Sequence, residues 1–155
     1  MNKRTLLLVA HAPSANTERL ASEVLAGANH DDIENVIVKR LSPFETQPDD
    51  VRNCSAIILG TTENLGYMSG ALKDFFDRCY YPVLEEKQGL PCAVYIRAGH
   101  DGTGTQRAIT TILTGLKWKQ AQDMVIMRGD WQDAFADQAR ELGLYMAAAL
   151  DNGII

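Results

Sequence analysis

Two hydrophobic periodicities alternate along this chain, and the alternation restricts it to one class of fold. "TLLLVA" (Thr5–Ala10), "AIILG" (Ala56–Gly60) and "CAVYIRA" (Cys92–Ala98) are apolar almost without interruption. A strand with one wet face would alternate apolar and polar residues. A continuous apolar run suits a parallel strand covered on both faces. "NVIVKRL" (Asn35–Leu41) and "DMVIMR" (Asp123–Arg128) read as two further strands. Between the strands the period changes to that of a helix. Leu20, Ala21, Val24, Leu25 and Ala28 share one face, with Glu18, Arg19 and Glu23 opposite. Leu72, Phe75, Phe76 and Cys79 repeat the pattern, and that helix ends near Pro82. Ile109, Ile112, Leu113 and Leu116 mark a third helix, and Phe135, Ala139, Leu142 and Met146 a last one. "SPFETQPDDVRNCS" holds at most a short helix opening near Pro48. Five strands alternating with helices imply a parallel sheet with helices on both sides.

At 155 residues, with no repeat or linker, the expectation is one domain over residues 1–155. The net charge of -5 argues against nucleic acid or an anionic membrane as the partner. Cys54, Cys79 and Cys92 are far apart, with no C-x-x-C or Cys/His cluster. Metal binding and a disulfide framework are therefore not expected, and a reducing, cytoplasmic setting is. The opening "MNKRTLLLVA" has the basic start of a secretory signal. Its apolar run stops at His11 after about six residues, too short for a signal core, so it reads as a buried first strand. No segment is long and apolar enough to span a bilayer as a helix.

Ligands of open parallel sheets bind beyond the carboxyl ends of the strands, where the strand order reverses. That directs attention to the loops after the first, third and fourth strands. Loop one, "HAPSANT" (His11–Thr17), brings Ser14, Asn16 and Thr17 to the start of a helix. Helix N-termini carry unpaired N–H groups and partial positive charge, which suit a phosphate. Asn16 or Thr17 serves equally well as a plain helix cap, and the residues alone leave both roles open. Loop two, "GTTENLGYMSG" (Gly60–Gly70), places Leu65, Tyr67 and Met68 in a turn between glycines. Ser69 suits a helix cap. The three apolar residues suit a flat ring, a subunit contact or local packing, with Gly66 and Gly70 allowing close backbone approach. Loop three, "AGHDGTGTQRA" (Ala98–Ala108), has three glycines within six residues and can expose backbone amides.

Several chemistries are missing. Loop one lacks G-x-x-x-x-G-K-[ST] and G-x-G-x-x-G, which disfavours a nucleoside triphosphatase and a dinucleotide fold of the usual fingerprint. There is no G-x-S-x-G elbow, catalytic triad or pair of acidic residues after the first strand. No residue stands out as a catalytic acid or base. A bound redox cofactor would make such residues unnecessary.

The chain resembles the flavodoxin-fold NAD(P)H-dependent FMN reductases and quinone reductases along essentially its whole length. "GTTENLGYMSGALKDFFDR" resembles the family's G-T-P-E-Y/N…G-x-L-K-x-x-x-D segment, with Thr62 where the family has Pro. "GHDGTGTQRA" resembles the Gly-rich loop after strand four. "HAPSANT" resembles the S-P-R-x-x-S/G-N-T phosphate loop, with His11 near its start and no Arg after Pro13. The resemblance implies a flavodoxin-like α/β three-layer sandwich around a five-stranded parallel sheet in the order 2-1-3-4-5. It implies FMN as cofactor and NADH or NADPH as electron donor. Ser14, Asn16 and Thr17, with His11 at the loop's start, would hold the phosphate. Thr62, Glu63, Asn64, Gly66, Tyr67 and Met68 would line the isoalloxazine and ribityl chain. Gly99, His100, Asp101, Gly102 and Gly104 would touch the pyrimidine end of the ring.

Two functions fit. One is an oxidoreductase passing electrons from nicotinamide through FMN to a quinone, a flavin or a similar small acceptor. The other is an electron carrier of the flavodoxin type docking on redox proteins. Tyr80, Tyr81, Trp118 and Trp131 suit either core packing or the interface of a homo-oligomer.

Overall fold

Successive residues of a strand leave a sheet on opposite sides, and here both sides are covered. The computed structural model describes residues 3–155; Met1 and Asn2, the first residues of the signal-like opening, lie outside them. In chain order the elements are β1 (Arg4–Ala10), α1 (Ala15–Ala28), β2 (Val36–Leu41), α2 (Pro48–Arg52), β3 (Ala56–Asn64), β4 (Tyr67–Met68), α3 (Gly70–Val83), β5 (Pro91–Ala98), α4 (Thr103–Leu116), β6 (Lys119–Gln120), β7 (Val125–Arg128) and α5 (Asp133–Asp151). Leu7, Val9, Ile57, Leu59, Val94 and Ile96 point to the side of α3 and α4 and join Leu72, Phe75, Phe76, Ile109 and Leu113. Leu6, Leu8, Ile58, Ala93 and Tyr95 point the other way and meet Leu20, Val24, Ala139, Leu142 and Met146 of α1 and α5. Both parities of the apolar runs are thus buried.

The fold is flavodoxin-like. β1 pairs in parallel with β2 and β3, and β3 with β5. At the far edge β5 pairs with β6 near its start and with β7 toward its end. The parallel order β2-β1-β3-β5-β7 is the expected 2-1-3-4-5.

Two features differ from expectation. The fifth strand, expected over Asp123–Arg128, is β7 (Val125–Arg128), and a two-residue strand not expected from the sequence, β6 (Lys119–Gln120), precedes it and pairs with the start of β5. β3 runs past Gly60 to Asn64 and turns back antiparallel into β4, pairing Glu63 with Met68 and Asn64 with Tyr67. Loop two is therefore a β-hairpin, and the sheet has seven strands among the described residues.

α1 and α5 approach backbone to backbone. A Cβ on Gly27 would collide with the Arg140 carbonyl oxygen, and one on Gly143 with that of Val24. Side by side, the two helices cover one face of the sheet.

Candidate functional site

The three loops leave the sheet from β1, β3 and β5, which are adjacent strands. Loop one is tied to β3 by the His11 N–H, which donates to the Gly60 carbonyl at 3.0 Å. Burial holds the His11 imidazole below its ordinary pKa of 6.5, so it is neutral at pH 7.

Ser14 is the N-cap of α1 and forms a reciprocal box with Thr17. Ser14 Oγ accepts the Thr17 N–H at 3.2 Å, and Thr17 Oγ1 accepts the Ser14 N–H at 2.9 Å. The two hydroxyls lie 2.8 Å apart. The hydroxyls expected at a phosphate therefore cap the helix through each other. Ala15 and Asn16, at the exposed first turn, have N–H groups with no partner among the described residues. The acid of that turn, Glu18, is held by Arg40 through two hydrogen bonds of 2.8 and 2.6 Å, which lowers its pKa. An anion at this terminus meets two free N–H groups, the positive end of the helix and no unpaired carboxylate in the turn.

Loop two is closed at its base by buried hydroxyls. The Ser69 N–H donates to Thr61 Oγ1 at 3.0 Å, and Ser69 Oγ accepts the Leu72 N–H at 3.1 Å, capping α3. Leu65 and Gly66 form the tip, with φ of 54° and 76°. Positive φ at both central residues is the pattern of a type I′ hairpin turn, in which Asn or Gly normally occupies the first place. Leu65 is strained there and its side chain is fully exposed. Tyr67 and Asn64 are exposed, and Thr62 is half-buried with its hydroxyl 2.7 Å from Asn64 Oδ1. Met68 sits in the core beside Leu72, so its side chain packs inward.

Loop three is a tight turn into α4. Gly102 is the N-cap at a φ of 71°, and a Cβ there would lie 2.7 Å from Ile126 Cγ2. Asp101 Oδ1 accepts the Thr103 N–H and hydroxyl at 3.1 and 3.0 Å, lowering the Asp101 pKa. Its carbonyl accepts from Arg128 Nε at 2.6 Å. Gly99 and His100 are exposed. Glu63 spans loops two and three, accepting the His100 N–H at 2.9 Å and the Gly102 N–H at 2.8 Å. A Cβ on Gly104 would collide with the Gly66 carbonyl oxygen, so the hairpin tip rests on the first turn of α4.

Sequence reasoning found the three loops but not the ties between them, whose partners lie tens of residues apart. It also missed a cluster beside loop one. The Arg97 guanidinium stands 5.0 Å from the Phe135 ring centroid and 6.0 Å from that of Trp131, and Arg19 stands 5.7 Å from Trp131. Of the aromatics left open, Trp118 is buried and Tyr81 exposed. A trough of about 590 Å³ runs along α4, lined by Thr103, Gln106, Arg107, Thr110, Thr111 and Thr114. The cysteines are free and buried, with Cys54 and Cys79 pushed up to about 11 and Cys92 to about 12 by desolvation. No His, Cys or carboxylate cluster suited to a metal occurs among the described residues. No helix among them is long and apolar enough to cross a membrane.

Comparison with known proteins follows the same lines. A flavodoxin from the domain Archaea is similar over 93% of this chain and 96% of its own, at 19% identity and a TM-score of 0.79. A flavodoxin, WrbA-like protein from Agrobacterium tumefaciens is similar over 95% and 97%, at 15% identity and a TM-score of 0.74. An NADH:FMN oxidoreductase in its apo form is similar over 95% and 90%, at 15% identity and a TM-score of 0.72. At such identities these likenesses establish the fold. No curated protein matches the chain by sequence. The profile of one family does match it, over residues 4–133, a span that includes all three loops: the chain belongs to the NADPH-dependent FMN reductase family.

Proposed function

We propose that this protein is an oxidoreductase that takes electrons from NADH or NADPH and delivers them to a quinone, a flavin or a similar small acceptor. FMN is the cofactor that goes with the family, and when bound it supplies the redox chemistry, receiving electrons from the donor and releasing them to the acceptor. The chain's residues have binding and positioning roles. The free N–H groups of Ala15 and Asn16 fit a terminal phosphate, with Ser14 and Thr17 able to turn their hydroxyls toward it. Neutral donors and the helix dipole do this work, since His11 is uncharged at pH 7. Thr62, Asn64 and Tyr67 on the hairpin and Gly99, His100 and Asp101 on loop three present the surfaces suited to the ring and its polar edge.

The observation that carries the reading is the family match across all three loops. The test is anaerobic mixing of the FMN-loaded protein with NADPH and, separately, NADH, following the flavin absorbance. Bleaching at about 1 per second or faster, reversed by an added quinone, is expected. Very slow bleaching by both nicotinamides, with rapid electron exchange to a redox protein, would overturn it and leave an electron carrier.

A further inference from the structure

We infer that Glu63 is a strut, not a flavin ligand: its carboxylate locks loop three to the β3–β4 hairpin and so sets the opening into which the ring fits. Three observations converge on it. First, both carboxylate oxygens are engaged, one by the His100 N–H at 2.9 Å and the other by the Gly102 N–H at 2.8 Å. A carboxylate has no proton to donate to flavin carbonyls, and backbone amides already hold both of its oxygens in place. Second, the start of α4 relies on carboxylates from outside the helix, Asp101 accepting the Thr103 N–H. Its N-cap is a glycine with no side chain, and its first turn holds no acidic residue. Glu63 adds from another loop a second carboxylate beside this terminus, holding the N–H of the N-cap Gly102 itself. Third, the lever is anchored. Glu63 pairs in the ladder with Met68, whose side chain is buried in the core. The Gly66 carbonyl bears on Gly104, which gives the two loops a second point of contact.

The consequence is that hairpin and loop three form one jaw, closed before any flavin arrives. Without the strut the jaw is competent only part of the time, and apparent flavin affinity falls by that fraction. Because the strut acts at the ring end, FMN and riboflavin lose affinity equally. This flavin arm rests on the proposed function; an exchange arm in flavin-free protein does not.

The experiment compares wild type, Glu63→Ala and Glu63→Gln. Amide hydrogen exchange by NMR in flavin-free protein reads the jaw directly. In Glu63→Ala the His100 and Gly102 amides are expected to exchange at least about tenfold faster, with β1 amides such as Leu7 unchanged. Titration should then show about a tenfold loss for FMN and riboflavin alike. Glu63→Gln keeps one acceptor oxygen and should recover part of both effects. Unchanged exchange at His100 and Gly102 in Glu63→Ala overturns the strut. So does a loss of flavin affinity without faster exchange, because Glu63 would then touch the flavin itself. If wild type binds no flavin, the proposed function fails while the exchange result still decides the strut.

Discussion

Removing the two hydroxyls of loop one, Ser14→Ala together with Thr17→Ala, separates their role as a helix cap from any role at a phosphate. The double variant takes away both halves of the reciprocal box, at 3.2 and 2.9 Å. Loss of an N-cap costs about 1 kcal/mol, and the second hydrogen bond about 1 kcal/mol more. Thr17 is buried, so its lost methyl adds about 0.8 kcal/mol. The contributions belong to one unit and are not strictly additive, so the total is about 2–3 kcal/mol. For a chain of this size that lowers Tm by about 4–12 °C, which differential scanning fluorimetry on flavin-free protein resolves. FMN binding, followed by flavin fluorescence, should weaken about 10- to 100-fold, the loss of one or two charge-assisted bonds partly replaced by water. Riboflavin, which has no phosphate, should stay within about twofold after its smaller dependence on fold stability is allowed for. Equal losses for FMN and riboflavin would refute the phosphate assignment. An unchanged Tm would refute the cap.

Three further outcomes are expected. Leu65→Gly relieves a leucine at a φ of 54° on an exposed tip, so unfolding should become harder by about 1 kcal/mol in urea titration. Gly27→Ala forces a methyl into the Arg140 carbonyl; overpacking of this kind costs about 1–3 kcal/mol, read as a lower urea midpoint with unchanged m. His11 has a folded pKa below its ordinary 6.5, so its contribution to stability is present in full above pH 6.5 and is lost as pH falls through the folded value. Urea midpoints for wild type should fall more steeply than for His11→Gln between pH 7.5 and 5, and parallel slopes would contradict that.

The strand runs were legible because the sheet buries both faces of β1, β3 and β5, and continuous apolar sequence has few other uses. The helices were legible for the complementary reason, each having one wet side. The hairpin was not. A type I′ turn announces itself through Asn-Gly or Asp-Gly, and here the first position is Leu65, which adopts that conformation against its own preference. The two-residue β6 was hidden because Lys119 and Gln120 are both polar and exposed and carry no apolar signal. Within the site, sequence placed His11, Ser14, Asn16, Thr17 and the residues of loops two and three at the correct strand ends. It gave no sign that Ser14 and Thr17 bond each other, that Glu63 reaches loop three, or that Met68 turns into the core. The Ser14–Thr17 box is a local pairing of residues three apart, whereas the reach of Glu63 to loop three depends on a distance across the sheet that local pattern does not encode.

The ties among the loops explain how a site with so little charge can be selective. His11 joins loop one to β3, Glu63 joins the hairpin to loop three, and Gly66 rests against Gly104. None of these ties uses a positively charged side chain, and the chain as a whole carries -5. Long-range attraction of an anionic ligand is therefore weak, and recognition falls to preorganised backbone N–H groups and the shape of the opening. Such a site holds its donors in place before the ligand arrives, so little ordering entropy remains to oppose binding. Among the described residues two non-glycines hold positive φ, Leu65 and Lys117, and only Leu65 lies in the three loops, on the exposed hairpin tip next to the Gly66 contact with Gly104.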